Sequence, residues 1–239
     1  MRKIYLLILL FLPLLSFSQN KNETWFDYNL SYVLNNKTTL FGDVGYRFAE
    51  SDIVVFRPSI KYTFNSSFMI MGGIGNFYTR SPDKTFSAYE FRPWQGVRAI
   101  WPRKSYFLTL KHFLRLEEKI YTTTTSSGFE GHLRIRYQLG TEIDIWENMD
   151  GTFGISMPLE YEIFHSFNQP DFFIERDRII AGLIFNFKKA YSLEINYTMQ
   201  RKGEGYADLS PDIGIYRIRI KHGLARAKKK ANREDLEKL

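Results

Sequence analysis

Tyr191-Ser192-Leu193-Glu194-Ile195-Asn196-Tyr197-Thr198-Met199-Gln200 alternates apolar and polar residues without a break. Successive side chains of a strand point to opposite faces, so this segment has one apolar face and one polar face. The same alternation recurs along most of the chain. Strands of about ten residues, apolar on one face and polar on the other, are the mark of a transmembrane β-barrel with lipid outside. The expected fold is therefore all-β, a transmembrane antiparallel up-and-down barrel of 10–12 strands.

The N-terminus supports export. Met1-Arg2-Lys3 precedes a nearly unbroken apolar run from Ile4 to Leu15, followed by Ser16-Phe17-Ser18. A basic start, a short apolar core and small residues at the cut make a secretory signal peptide, with cleavage expected after Ser18. The apolar run is too short for a spanning helix, which needs about 20 residues. The expected organisation is a signal peptide over 1–18, a barrel over 19–222 and a charged, periplasmic tail over 223–239. The 239 residues include no cysteine, which excludes disulfides, a lipoprotein anchor and thiolate metal sites. The net charge of +7 falls to +5 once Arg2 and Lys3 leave, and an exported chain rarely meets nucleic acid. No nucleic acid partner and no cofactor are expected. Outer-membrane lipid and the barrel-assembly machinery are the expected partners.

Eleven strand candidates stand at roughly 24–34, 38–49, 53–65, 67–79, 86–101, 105–120, 129–146, 151–164, 173–187, 190–201 and 210–222. Short polar turns (Asn35-Asn36-Lys37, Asn65-Ser66, Pro102-Arg103-Lys104, Asn148 to Gly151, Lys188-Lys189) alternate with longer connections near 80–85, 121–128, 165–172 and 202–209. Short turns face the periplasm in bacterial barrels, and their strand number is normally even. Eleven candidates conflict with both rules if the N-terminus also begins in the periplasm, so either one strand is missed, giving twelve, or one candidate is false, giving ten, and twelve is the expectation carried forward. A phase shift between Ile215 and Tyr216 calls for a bulge near Gly214.

Charge is confined to one parity. Over 129–146, Leu133, Ile135, Tyr137 and Leu139 share the outer face, while Arg134, Arg136 and Gln138 share the inner one. Extended to every strand, the rule sends inward thirteen cations, among them Arg47, Arg57, Arg92, Arg98, Arg115, Arg134, Arg136 and Arg178. It sends inward nine acids, among them Glu90, Glu117, Glu160 and Glu162, leaving an excess of four cations. An Arg or Lys facing lipid at mid-membrane costs about 2–4 kcal/mol, which is the physical reason for the confinement.

The ordered landmarks are Trp25, Tyr46-Arg47, Arg57-Pro58-Ser59-Ile60-Lys61-Tyr62 and Glu90-Phe91-Arg92-Pro93-Trp94-Gln95. Arg115-Leu116-Glu117-Glu118, Arg134-Ile135-Arg136-Tyr137, Glu160 and Arg178-Ile179-Ile180-Ala181-Gly182 follow. As a set spanning residues 24–222 they resemble the uncharacterised bacterial outer-membrane barrels catalogued as domain of unknown function 2490. The resemblance implies a Gram-negative outer-membrane protein and carries no known reaction or ligand. The chain departs from outer-membrane barrels generally by continuing past its last strand to Leu239 instead of ending on an aromatic residue.

The twelve inward charges named above form the candidate site, a lumen charge network. They fill the interior as mutually paired groups or line a narrow anion-preferring, porin-like path. Small barrels fill with side chains, and wide ones leave a channel. A membrane-embedded lipid hydrolase would need Ser or Asp beside His112, and no such motif follows that residue, so no catalytic residue is assigned. Glu160 and Glu162 share a face at carboxylate-pair spacing, as a charged lumen produces by chance. His132, His165 and His222 lie singly, without metal-ligand spacing. A soluble lipocalin-like binder would turn the apolar face inward. The structural or narrow-pore barrel is the expectation, and the solute is not readable.

Overall fold

Period-2 stretches rich in Phe, Tyr, Ile and Val can bury one face only by joining a sheet, and a sheet closed on itself has no unpaired edge. The computed structural model describes residues 21–83, 85–101, 109–124, 128–167, 174–187, 190–202 and 213–224. Eleven strands form one closed barrel: β1 (Asn22–Val33), β2 (Thr38–Phe48), β3 (Asp52–Thr63), β4 (Phe68–Arg80), β5 (Ser87–Trp101), β6 (Leu110–Thr123), β7 (Glu130–Glu147), β8 (Phe153–Ser166), β9 (Arg176–Phe187), β10 (Tyr191–Lys202) and β11 (Ile213–Leu224). Consecutive strands pair antiparallel, and β1 closes the ring on β11 in parallel, from Asn22 opposite Gly214 to Tyr32 opposite Leu224.

The expected twelfth strand is absent among the described residues. The parallel seam consumes both edges, so the ring has no place for it, and the odd number puts the start of β1 and the end of β11 at opposite ends. The bulge expected near Gly214 is absent too. β11 keeps one register against both neighbours, and Ile215 is an apolar residue buried inside the lumen at 1 % exposure. The irregularity lies instead in β7, where the register against β8 shifts between Asp144 and Trp146.

Boundaries move slightly. The sixth strand starts at Leu110, and the turn expected at Pro102-Arg103-Lys104 lies outside the described residues. Thr122 and Thr123 belong to β6, and β11 extends through Gly223 and Leu224 into the expected tail. The expected signal peptide and the tail beyond Leu224 lie outside the described residues. One end of the barrel, here the turn end, carries the connections 34–37, 64–67, 102–109, 148–152 and 188–190. The opposite, loop end carries 49–51, 81–86, 124–129, 167–175 and 203–212.

Asparagine shapes three of the turns. The Asn35 Oδ1 accepts from the backbone N–H of Lys37 and Thr38, at 2.9 and 2.8 Å. Asn65 Oδ1 does the same for Ser67 and Phe68 at 2.8 and 2.9 Å, and Asn148 Oδ1 accepts from Phe153 at 2.9 Å. The first two are Asx turns, which mimic a backbone turn with a side chain, and the Asn148 bond spans its whole turn. Gly151 takes φ +63° in the last, a left-handed conformation open to residues without Cβ.

The faces follow the alternation. Phe56, Leu114 and Ile195 stand outward at 52, 52 and 46 % exposure, whereas Glu117 and Glu162, of inward parity, are at 0 %. Outward aromatics gather near both rims. Tyr62, Phe64, Phe68, Trp101, Trp146, Phe187 and Tyr191 lie towards the turn end, and Phe26, Phe48, Tyr78, Tyr89, Phe167 and Tyr216 towards the loop end.

The parallel seam makes a direct test. Ser31 lies opposite Gly223, and a Cβ at Gly223 would sit 3.7 Å from Ser31 Oγ. Ser31→Cys with Gly223→Cys should therefore form a disulfide in this cysteine-free chain, since bridged Cβ atoms sit about 3.5–4.5 Å apart. Peptide mapping should join the first and last strands. A one-residue slip would put the two thiols on opposite faces and leave them reduced.

Candidate functional site: the charged lumen

Inward parity on β5, β6 and β7 brings Trp94, Arg115, Glu117, Arg134 and Arg136 to the middle of the barrel. Glu117 is opposite Trp94 on one side and Arg134 on the other. Four guanidinium groups converge on its carboxylate: Arg134 at 2.5 Å, Arg115 at 2.8 Å, Arg92 at 3.7 Å and Arg136 at 3.8 Å. A carboxylate at 0 % exposure is tolerable only with such company, because a lone buried charge costs several kcal/mol.

A second centre is Glu162, held by Arg136 Nε at 2.5 Å and Arg178 at 3.4 Å. Arg178 also donates to Gln200 at 2.8 Å. Arg136 thus bridges Glu117 and Glu162, and one network runs from β5 to β10. A third centre joins β1, β2, β3 and β11. There Asp27 pairs with Arg217 and lies 4.0 Å from Arg57, which binds Asp43 at 2.6 Å. Glu194 pairs with Arg219, at 3.0 Å, and with Lys221.

Aromatic rings fill the space between these charges. Arg47 lies 4.1 Å from the ring centre of Trp25, Arg115 4.0 Å from Trp94 and Arg92 4.2 Å from Phe77. Arg134, Arg136 and Arg178 surround Phe164 at 4.9, 5.1 and 4.9 Å. A cation over a ring face is attracted by its quadrupole, and more so when water is excluded. Glycines make the room: a Cβ on Gly96 would meet the Phe113 ring at 2.8 Å, and one on Gly75 the Phe77 ring at 2.8 Å.

Of the twelve expected site residues, Arg92, Arg115, Glu117, Arg134, Arg136, Glu162 and Arg178 form the connected core. Glu90 joins it through Arg92 and faces Lys119 at 3.8 Å. Arg57 belongs to the Asp27 centre. Arg47, Arg98 and Glu160 are inward, but none of them is in ion-pair contact among the described residues. Glu160 accepts instead from Gln138 at 2.6 Å, and Arg98 lies over Phe113 at 5.0 Å.

The inward aromatics share the parity of the charges and were not legible as lumen residues, because Phe, Tyr and Trp fit the outer girdles equally well. The inward Lys119 and Arg176, and the loop acid Glu175 beside them, were likewise not singled out from the sequence. Burial opposes ionisation of Glu175, yet the Ser166 hydroxyl and the Arg134 and Arg176 charges hold its carboxyl below its ordinary range.

Charge is not wholly confined to the lumen. On the outer face near the loop end, Arg201 pairs with Asp177, and the Tyr161 hydroxyl donates to Asp177 at 3.0 Å. Asp177 is 1 % exposed, covered by its partners. His112, also outward, meets the Tyr137 hydroxyl at 2.7 Å. No group of three or more His, Asp or Glu side chains is arranged to hold a metal among the described residues.

Above this core, towards the turn end, lies a cavity of about 340 Å³ lined by residues such as Asn29, Phe41, Met71, Arg98, Lys111 and Glu142. The lumen is thus filled through its middle and hollow in one half.

A family model described as "Protein of unknown function (DUF2490)" matches residues 22–207. No curated protein and no solved structure matches the chain.

The network predicts unequal costs for adjacent acids. Glu117→Gln leaves four guanidiniums without their common partner and should destabilise the barrel by about 3–5 kcal/mol. Glu118→Gln, on the exposed outer face, should cost little. Combining Glu117→Gln with Arg134→Met should lose less than the sum of the singles. Urea unfolding followed by tryptophan fluorescence measures all four proteins.

Proposed function

The chain belongs to the DUF2490 family of unknown function, and on that premise we infer an outer-membrane barrel whose lumen is closed by its own side chains. The observation that carries this is Glu117, with no exposed surface at the middle of β6 and arginines from β5, β6 and β7 gathered on it. A diffusion pore needs continuous water along its axis, and the side chains packed on this carboxylate leave no accessible surface beside it. The protein is then a structural or binding element of the membrane. It is exported by the signal peptide over 1–18, inserted by the assembly machinery, and works without catalysis or cofactor.

Support for the membrane comes from the outer surface. Twelve residues of β10, at about 3.3 Å each and tilted about 40°, rise roughly 30 Å, enough for an apolar band of about 25 Å. Aromatics ring that band at both rims, as interfacial girdles do. Periplasmic short turns would put the turn end and the C-terminus in the periplasm.

Two exposed apolar residues separate lipid from water. Ile195 stands at mid-wall, and Phe129 lies outside the strands at 76 % exposure. In lipid vesicles Ile195→Arg should destabilise by about 2–4 kcal/mol, and Phe129→Arg by far less. A barrel standing in water would tolerate both alike.

Purified protein in planar bilayers should show no steady conductance, and the mature chain should fractionate with the outer membrane. Steady anion-selective conductance through the wild-type barrel would instead establish a porin-like path, which the cation excess of the lumen would favour.

A further inference from the structure

The hollow half of the lumen carries more positive charge than it can pair. Its lining includes nine Arg and Lys side chains against five Asp and Glu; Glu117 and Asp27, outside the lining, take Arg115 and Arg217, which leaves Arg98 as the lining cation without an ion pair among the described residues. Most of the lining arginines are engaged: Arg57 with Asp43, Arg115 with Glu117, Arg136 with Glu162, Arg219 with Glu194. Among the described residues Arg98 has no carboxylate in ion-pair contact, and neither has Lys61, two residues further towards the turn end than the lining Ser59. Nearby Glu160 is occupied by the Gln138 amide.

Arg98 on β5 and Lys61 on β3 both face inward across β4, where Met69 lies opposite Arg98 and Met71 opposite Lys61. Two strand spacings and a two-residue offset put their backbones about 12 Å apart, so the two long side chains can reach one shared group between them. Burial and the neighbouring Arg98 charge both weigh against the Lys61 ammonium, while Glu160 lies near enough to attract Arg98 without ion-pair contact. The wall beside them is apolar: Phe41 packs edge-on against Trp94 at 6.5 Å and Trp94 against Phe113 at 6.2 Å, with Met71 adjoining.

A doubly charged head beside an aromatic wall, in a chamber of about 340 Å³ with a filled floor, is the complement of a small aromatic phosphate monoester. That volume lies within the ~300–1,000 Å³ usual for small-molecule sites. We propose that this vestibule binds such a ligand, with Arg98 and Lys61 on the phosphate and Phe41, Trp94 and Phe113 against its ring. Arg98, already placed over Phe113 at 5.0 Å, presents a planar fork suited to phosphate, and Lys61 adds a point charge. Because the floor is the closed plug, the ligand enters and leaves by the turn end and does not cross. The inference therefore rests on the closed-lumen reading above.

The test uses the full mature chain refolded in zwitterionic detergent and titrated calorimetrically with phenyl phosphate, inorganic phosphate and benzyl alcohol. Phenyl phosphate should bind roughly tenfold or more tightly than inorganic phosphate, and benzyl alcohol should give no signal. Arg98→Gln and Lys61→Gln should each weaken phenyl phosphate binding roughly tenfold, while Glu118→Gln on the outer face leaves it unchanged. Heat-modifiable migration on gels checks that each variant has closed, and Lys61→Gln alone decides the matter if Arg98→Gln does not fold. Absent binding, equal affinity for inorganic phosphate, or unchanged binding in the folded variants overturns the proposal. A non-conducting barrel that ignores phenyl phosphate overturns the vestibule alone. A conducting barrel overturns the plug on which the vestibule rests.

Discussion

A charge inside a closed ring of strands cannot turn away to solvent, and the rest of the molecule is arranged around that constraint. Glu117 shows it most fully: an ionised carboxylate with no exposed surface, stabilised by four guanidiniums from three strands. Each of those arginines must itself be satisfied, so the requirement spreads outward. Arg136 reaches Glu162, Arg92 reaches Glu90, and Arg178 reaches Gln200. A network of this kind constrains register as well as stability. Moving one strand by a residue would carry its charges from the lumen to the apolar outer face.

The aromatic rings explain how so many arginines fit without one acid apiece. Arg47 has no ion-pair partner among the described residues, yet its guanidinium is covered by Trp25 at 4.1 Å and Phe77 at 5.4 Å. Phe164 serves three arginines at once. Rings contribute volume, which keeps water out, and a negative face, which offsets part of the desolvation of the cation. Apolar and ionic packing are thus interleaved, and the centre is dense while the turn-end half, with fewer rings, stays hollow.

How much of this was legible follows from what each feature depends on. Strand identity and facing depend on local alternation, and segments such as Tyr191 to Gln200 stated both plainly. The inward set from Arg47 to Arg178 followed from the same parity. Pairing was not legible, because Arg134 sits between two strands that both carry inward acids, and only the shear of the barrel decides for Glu117 over Glu160 or Glu162. The strand number failed for a different reason: evenness is a habit of bacterial barrels, whereas this ring closes by a parallel pair that no local pattern announces. The shift at Asp144 to Trp146 was hidden because a bulge in a stretch of alternating Ile, Asp and Trp leaves the composition of both faces plausible.

The seam between β1 and β11 also sets the order of events by which the barrel forms. Every other strand pair joins neighbours in sequence, but Asp27 and Arg217 are 190 residues apart. As a free chain, bringing such distant segments together would cost about 5 kcal/mol of entropy, which the earlier pairing of the intervening strands reduces, and contacts of that range are made late. Until then the sheet is an open ribbon with two live edges, one bearing Trp25 and Asp27 and the other Arg217 and Arg219. Opposite charge on those edges gives the final step a direction and a register, and the seam becomes a latch that only a completed chain can shut.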